Sequence, residues 1–403
     1  MKKTLSALSF LGVILLTSTY FVGEMTARET EKLFLKQQPQ ELNSRLISYE
    51  KNFLTADALS EVTVTLEGEN PVIFSIHSRI KHYPYKAVIS NDIRLSDSEL
   101  GAKLDNYFGS EKWLNSQEEI SIFGNLSGRL NLSAGSYENA REKISSRPLQ
   151  LDYQVDLQDY SGSAQINWAG ADAATSSGDF SIESVQLFSD FSSLSTNGSY
   201  AYFSKIGKVI IGQKNYQSIL QGLELKGSSQ AGQKADTVDT SNEWKIARYE
   251  MNDGQGKVFT DNQIKLEIKG LYSPALDILA NSSENKQLVE NALKDLLAKG
   301  AELNLSKLSS QTPWGEVDGY LQLTLQQGAP LVEVIGNPFM LFDYVNGKAK
   351  LALPDSLLEE PAVAESLQMG LRTGFLKHEN NSLSLETYLE RGEFSVNGRV
   401  IPL

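Results

Sequence analysis

The chain has 403 residues with a formal net charge of −13, from 37 lysines and arginines against 50 aspartates and glutamates. No basic footprint of useful size exists, so nucleic acid is excluded as a partner. The absence of cysteine removes disulfides, thiolate metal sites and cysteine nucleophiles, and only three histidines remain.

After Lys2 and Lys3, no charge occurs from Thr4 to Gly23, and Glu24 ends the run. At about 1.5 Å per residue this is long enough to cross the ~30 Å hydrocarbon core of a bilayer. Tyr20 and Phe21 stand at its end, where aromatic residues favour the interface, and no small-residue cleavage pattern precedes them. Residues 1–23 are therefore expected to be an uncleaved signal-anchor. Lys2 and Lys3 predict a cytoplasmic N-terminus by the positive-inside rule, with the bulk of the chain in a bacterial periplasm. Leu33, Leu42, Leu46, Phe53 and Leu54 predict a helical stalk over 24–59.

From residue 60 to 403, alternation of apolar and polar residues dominates. Leu149, Leu151, Tyr153, Val155 and Leu157 share one parity, as do Ile264, Leu266 and Ile268, then Leu321, Leu323 and Leu325, then Leu383, Leu385 and Leu389. Period two predicts strands with one buried and one wet face, in antiparallel rather than parallel sheets. Helical spacing is confined to Ser283–Lys299, stopped by Gly300, and to a segment after Pro354 through Leu357, Val363, Leu367 and Leu371. Residues 170–178 read as loose. Residues 227–242, GSSQAGQKADTVDTSN, read as a long loop between strands, dividing sub-lobes 60–226 and 243–403. The expected class is α+β and β-dominated: a transmembrane helix, then an elongated, curved antiparallel sheet carrying a few helices.

Reactive chemistry is scarce. As a strand, residues 72–82 place His77 with Arg79 and Lys81 on the wet face, and His82 on the other. The two histidines cannot share an ion without a bulge, and His378 is distant, so no metal site is expected. Arg79, Lys81 and Lys86 form a solvated basic row, or at most a contact for an anion such as a lipid head group. Ser78/Lys81 and Ser283/Lys286 satisfy S-x-x-K, but the partner elements S-D-N and K-T-G are missing. No catalytic residue and no cofactor are expected.

The closing block GLRTGFLKHENNSLSLETYLERGEFSVNGRVIPL resembles the ending of the YdgA-like family of uncharacterised bacterial envelope proteins. The Tyr20-Phe21-Val22-Gly23 boundary, His82 with Pro84 and Tyr85, and TPWGEVDGYLQLTL at 312–325 are similar too. The resemblance implies an inner-membrane anchor, a periplasmic β-rich fold and no transferable catalytic residue. The function expected is noncatalytic: binding of lipid or another amphiphile along an apolar sheet face containing Leu149, Leu151, Tyr153, Val155, Leu321 and Leu323. The alternative is an envelope scaffold or assembly factor that binds a protein partner.

Overall fold

The computed structural model describes residues 42–402, apart from 53, 66–70, 84–85, 122, 194–197, 214–215, 253, 255, 282–284 and 331–336. Two compact units divide the chain, Met1–Asp190 and Phe191–Leu403. The division falls at the end of a strand, not within 227–242. The expected anchor over 1–23, with residues 24–41 of the expected stalk, lies outside the described residues. Among those described, no helix is long and apolar enough to cross a membrane.

In unit 1 the strands β1 (Leu42–Lys51), β2 (Thr55–Val64), β3 (Val72–Tyr83), β4 (Lys86–Leu95), β5 (Leu114–Ser121), β6 (Asn125–Leu132), β9 (Leu149–Asp156) and β10 (Gly162–Thr175) lie side by side in that order. Every one of these pairings is antiparallel. The short hairpin β7 (Gly135–Glu138) and β8 (Lys143–Ser146) adds to the second half of β10, and β11 (Gly178–Phe191) ends the unit. Residues 42–51 and 55–59 are thus strand, correcting the helical stalk over that part. The physical reason is visible in β2, where Ala56, Ala58, Ser60 and Val62 alternate and are 0–2% exposed. Small residues at period two give a weaker apolar signal than the larger leucines that happen to fall at helical spacing.

One helix, α1 (Ser98–Phe108), joins β4 to β5. The Asp97 carboxylate accepts from the Glu99 and Leu100 amides at 2.8 and 3.1 Å, satisfying two of the helix's otherwise unpaired donors. Gly109 (φ 66°) ends it in the left-handed region. Phe108 then stacks on Trp113 with ring centroids 5.0 Å apart.

Unit 2 is a meander of long strands: β12 (Tyr200–Gln213), β13 (Tyr216–Ala231), β14 (Thr237–Asn252), β15 (Lys257–Tyr272), β16 (Ala301–Thr312), β17 (Gly315–Leu325), β18 (Val345–Pro354) and β20 (Ser382–Glu390), neighbours in that order. β19 (Lys377–Glu379) and β21 (Glu393–Val396) also pair with β20, and β22 (Arg399–Ile401) with β21. The helices α2 (Ser273–Asn281) and α3 (Lys286–Lys299) pack on each other and on β15. Asn285 caps α3, accepting from Leu288 at 3.2 Å. A 3-10 turn, Asp355–Glu359, and α4 (Ala364–Thr373) fill the predicted third helical segment.

Both segments read as loose are mostly strand. β10 runs through 170–175, and β13 and β14 leave only residues 232–236 between them. In the second case the polar residues cover a packed row: Gly227 and Ser229 are buried, a Cβ at Gly227 would collide with the Tyr202 ring, and the Tyr202 hydroxyl donates to Asn242 Oδ1 at 3.0 Å.

Candidate functional site: an apolar stripe in the second unit

The six apolar positions expected to form one face separate into two environments. On β9, Leu151, Tyr153 and Val155 are 1, 5 and 7% exposed, and Leu149 is half-buried. Leu151, Tyr153 and Val155 belong to the closed core of unit 1, with Ile76, Ile80, Ile89, Ile93, Leu126 and Leu130, and Leu149 lies at its margin. They are not a groove lining, which corrects that assignment. The sequence pattern could not separate core from groove, since both alternate alike.

Leu321 and Leu323 on β17 are different. Both are half-buried, and the strand register sets them within continuous rows. Leu225, Trp244, Ile264 and Leu308 stand opposite one another in β13, β14, β15 and β16. Leu266, Leu305, Leu321 and Ala349 form the next row, and Ile268, Leu303 and Leu323 the next. Ile206, Leu223 and Ile246 add a further row on the other side. None of these side chains is buried, and Ile264 is 39% exposed. Opposed residues in a ladder point to one face, so the rows make a stripe of large apolar side chains only half removed from water.

The reverse face of the same strands carries charge. Lys205 pairs with Glu224 at 3.3 Å, Lys245 with Glu243 at 2.9 Å, Lys265 with Glu267 at 3.2 Å and Lys307 with Asp318 at 2.7 Å. The Gln263 amide donates to Glu243 at 2.6 Å. That face is ion-paired, whereas the apolar rows are flanked only by uncharged polar residues: Ser204 opposite Leu225, Asn242 opposite Leu266, Thr240 opposite Ile268 and Asn262 opposite Ile246. Where the meander ends, the C-terminal elements do close it: Leu383, Leu389 and Val396 are 0, 8 and 2% exposed. Ala275 and Ala292, on α2 and α3, are likewise buried at 1 and 0%.

The basic row behaves as a row. His77, Arg79 and Lys81 are exposed on β3, and His82 shares the parity of buried Ile76, Ser78 and Ile80. His77 Nε2 lies 3.8 Å from Asp57, and His378 Nε2 3.3 Å from Asp355. Lys86 sits apart on β4, its Nζ 2.8 Å from Glu119, so it does not extend the row. Ser78 is 1% exposed and Lys81 is on the opposite face, which separates the two members of that S-x-x-K pair. Among the described residues, no three histidine, aspartate or glutamate side chains gather as metal ligands.

Sequence reading missed a buried polar group in the unit 1 core. Glu118 is 1% exposed, between Ile89 on β4 and Gly128 on β6 in the register. The Asn91 amide donates to Glu118 Oε2 and to Ser116 Oγ at 2.9 Å. Tyr153 lies across Gly128, and burial, then the nearby Glu118 carboxylate, raise its hydroxyl above the ordinary tyrosine range. The signal was present: Ser116, Glu118, Ile120 alternate in phase with buried positions, though polar residues at that parity read as wet.

On the outer face of unit 1, Gln117, Glu119, Arg129, Asp152, Gln154 and Gln165 line a shallow trough of about 490 Å³. Its Arg129 and Asp152 are already paired at 2.6 Å.

No curated protein and no solved structure matches this chain. One family does, over residues 1–403, described as a bacterial protein of unknown function, DUF945. A match along the whole length of the chain makes it a member of that bacterial DUF945 family.

Proposed function

We propose that this protein is a noncatalytic, amphiphile-binding component of the bacterial cell envelope, held at the inner membrane by residues 1–23, with its two units in the periplasm. The resemblance of its ending to the YdgA-like proteins, the uninterrupted apolar run and the lysines before it support that placement.

The observation that carries the binding reading is the half-exposed stripe from Ile206 to Leu323. Unit 1 demonstrates that this chain can close an apolar face to 0–8% exposure when the face is only a core. The stripe in unit 2 is left open over at least five strands. Each large apolar side chain taken fully out of water contributes about 1.5–3 kcal/mol. Acyl chains laid along the rows would supply that burial without any polar partner. Apolar rows two or three residues deep on a strand, repeated from strand to strand at about 4.8 Å, suit a flexible chain better than a compact polar molecule.

The test is mass spectrometry of amphiphiles retained by the full-length protein, compared with variants Leu321→Asp and Leu323→Asp. Both positions are half-exposed, so the variants are expected to fold. Retention of phospholipid or a lipid-linked precursor by the wild type, lost in both variants, supports the reading. Equal retention in all three attributes it to the N-terminal run and removes the proposal.

A further inference from the structure

A second surface, in unit 1, points to a different contact. The turns joining β1 to β2, β3 to β4, β5 to β6 and β9 to β10 all lie at one end of the sheet. The register requires it, because Thr55 opposes Lys81, Lys86 opposes Ser121, and Asn125 opposes Asp156. Turns are ordinarily built from glycine, proline, asparagine, aspartate and serine. Here large apolar side chains stand in the turns or at the strand end beside them: Phe123 is 72% exposed, Leu54 61% and Tyr83, the last residue of β3, 48%. Phe123 and Leu54 are the two most exposed large apolar residues among those described.

Hydrogen bonds hold the described residues around these tips. The His82 amide donates to the Leu54 carbonyl at 2.9 Å, tying the first turn to the end of β3. The Leu157 amide donates to the Gly124 carbonyl at 2.8 Å, tying the third to the fourth. Ser121 Oγ accepts from the amides of Phe123 and Asn125 at 3.3 and 3.2 Å, and Gln158 Nε2 donates to the Phe123 carbonyl at 3.3 Å. The amides of His82, Phe123, Asn125 and Leu157 and the carbonyls of Leu54, Phe123 and Gly124 are thus partnered from within, as a bilayer interface favours. Just behind the tips, Arg79 and Lys81 are exposed on β3.

We propose that this end of unit 1 is a membrane-docking edge, inserting Leu54, Tyr83 and Phe123 into the interfacial layer of a lipid bilayer. The occupant is lipid because the chemistry is that of an interface. Phenol and phenyl rings stand at the tips, aliphatic bulk beside them, and cations on long stems are set back at head-group depth, where they snorkel to anionic phosphates. This edge and the stripe of unit 2 are separate surfaces with separate probes, so either can fail alone.

The cysteine-free chain permits single-site spin labelling. Full-length protein carrying Leu54→Cys is reconstituted in vesicles of phosphatidylethanolamine with phosphatidylglycerol as the minor lipid. It is compared with Arg141→Cys, an exposed position between β7 and β8, beyond the end of β10 remote from the tips. The expected result is loss of accessibility to a water-soluble relaxant and gain toward oxygen at Leu54→Cys alone. Adding Phe123→Asp and Tyr83→Asp is expected to restore aqueous access. A Leu54→Cys label as wet as the one at Arg141→Cys overturns the proposal, and so does protection that survives the two aspartates.

Discussion

Tyr153 and Gly128 occupy one space. They oppose each other on β9 and β6, and a Cβ at position 128 would fall within the tyrosine ring. Gly128→Ala is therefore expected to lower stability by about 1–3 kcal/mol, the usual penalty of overpacking a filled core. Combining it with Tyr153→Leu should restore part of the loss, read as a non-additive urea midpoint. The tyrosine also makes a pH prediction. Its raised value means the folded state keeps the proton above the ordinary 10.0, where the unfolded state releases it. The stabilising contribution is thus complete below pH 10 and is lost as pH rises beyond it. Unfolding midpoints measured near pH 8 and about pH 11 should fall for the wild type and fall less for Tyr153→Phe. At this scale the sequence was half legible. Ser78, Asn91, Ser116 and Glu118 are polar residues on a core-facing parity, and only their three-dimensional neighbours distinguish a buried network from a wet row.

Strands were the most legible elements, because period two survives wherever one face is buried. Where both faces are polar the signal fails, as in β13 and β14 around Gly227 and Ser241, although the ladder there is intact. The helix predicted through Leu42, Leu46 and Leu54 failed for the converse reason: chance spacing of leucines outweighed the small alternating residues of β2. One device was invisible in sequence. On β13 and β15, Gly222 (φ 62°) and Asp261 (φ 52°) interrupt the strands, and the apolar parity shifts by one residue across them. Before them Ile206, Leu223 and Ile246 align; beyond them Val209, Leu220, Tyr249 and Phe259 do. The left-handed residue lets each strand keep its apolar side chains in one stripe despite the slip. Gly222→Ala must adopt a strained φ and also crowd the Ala247 methyl at 2.9 Å. It is expected to destabilise unit 2 by about 1 kcal/mol or more, whereas Asp261→Gly should be neutral or stabilising. Thermal denaturation of the two variants separates these outcomes.

For the molecule as a whole, the absence of cysteine excludes thiol chemistry, and alternation gave a β-dominated architecture. What composition could not give was which apolar face is core. The same Leu-x-Leu pattern ends at 1% exposure in Leu151 and half-exposed in Leu321, because closure depends on what the rest of the chain lays over each sheet. The central claim is that the unit 2 stripe takes an amphiphile, and Trp244 stands within it, opposite Leu225 and Ile264. The most direct test is the quenching of tryptophan fluorescence by a bromine-labelled phospholipid, measured on the full-length protein and on Trp244→Phe. The account predicts saturable quenching in the wild type that is largely lost in the variant and abolished by Leu266→Asp. Quenching that is absent, or equal with and without Trp244, would contradict it.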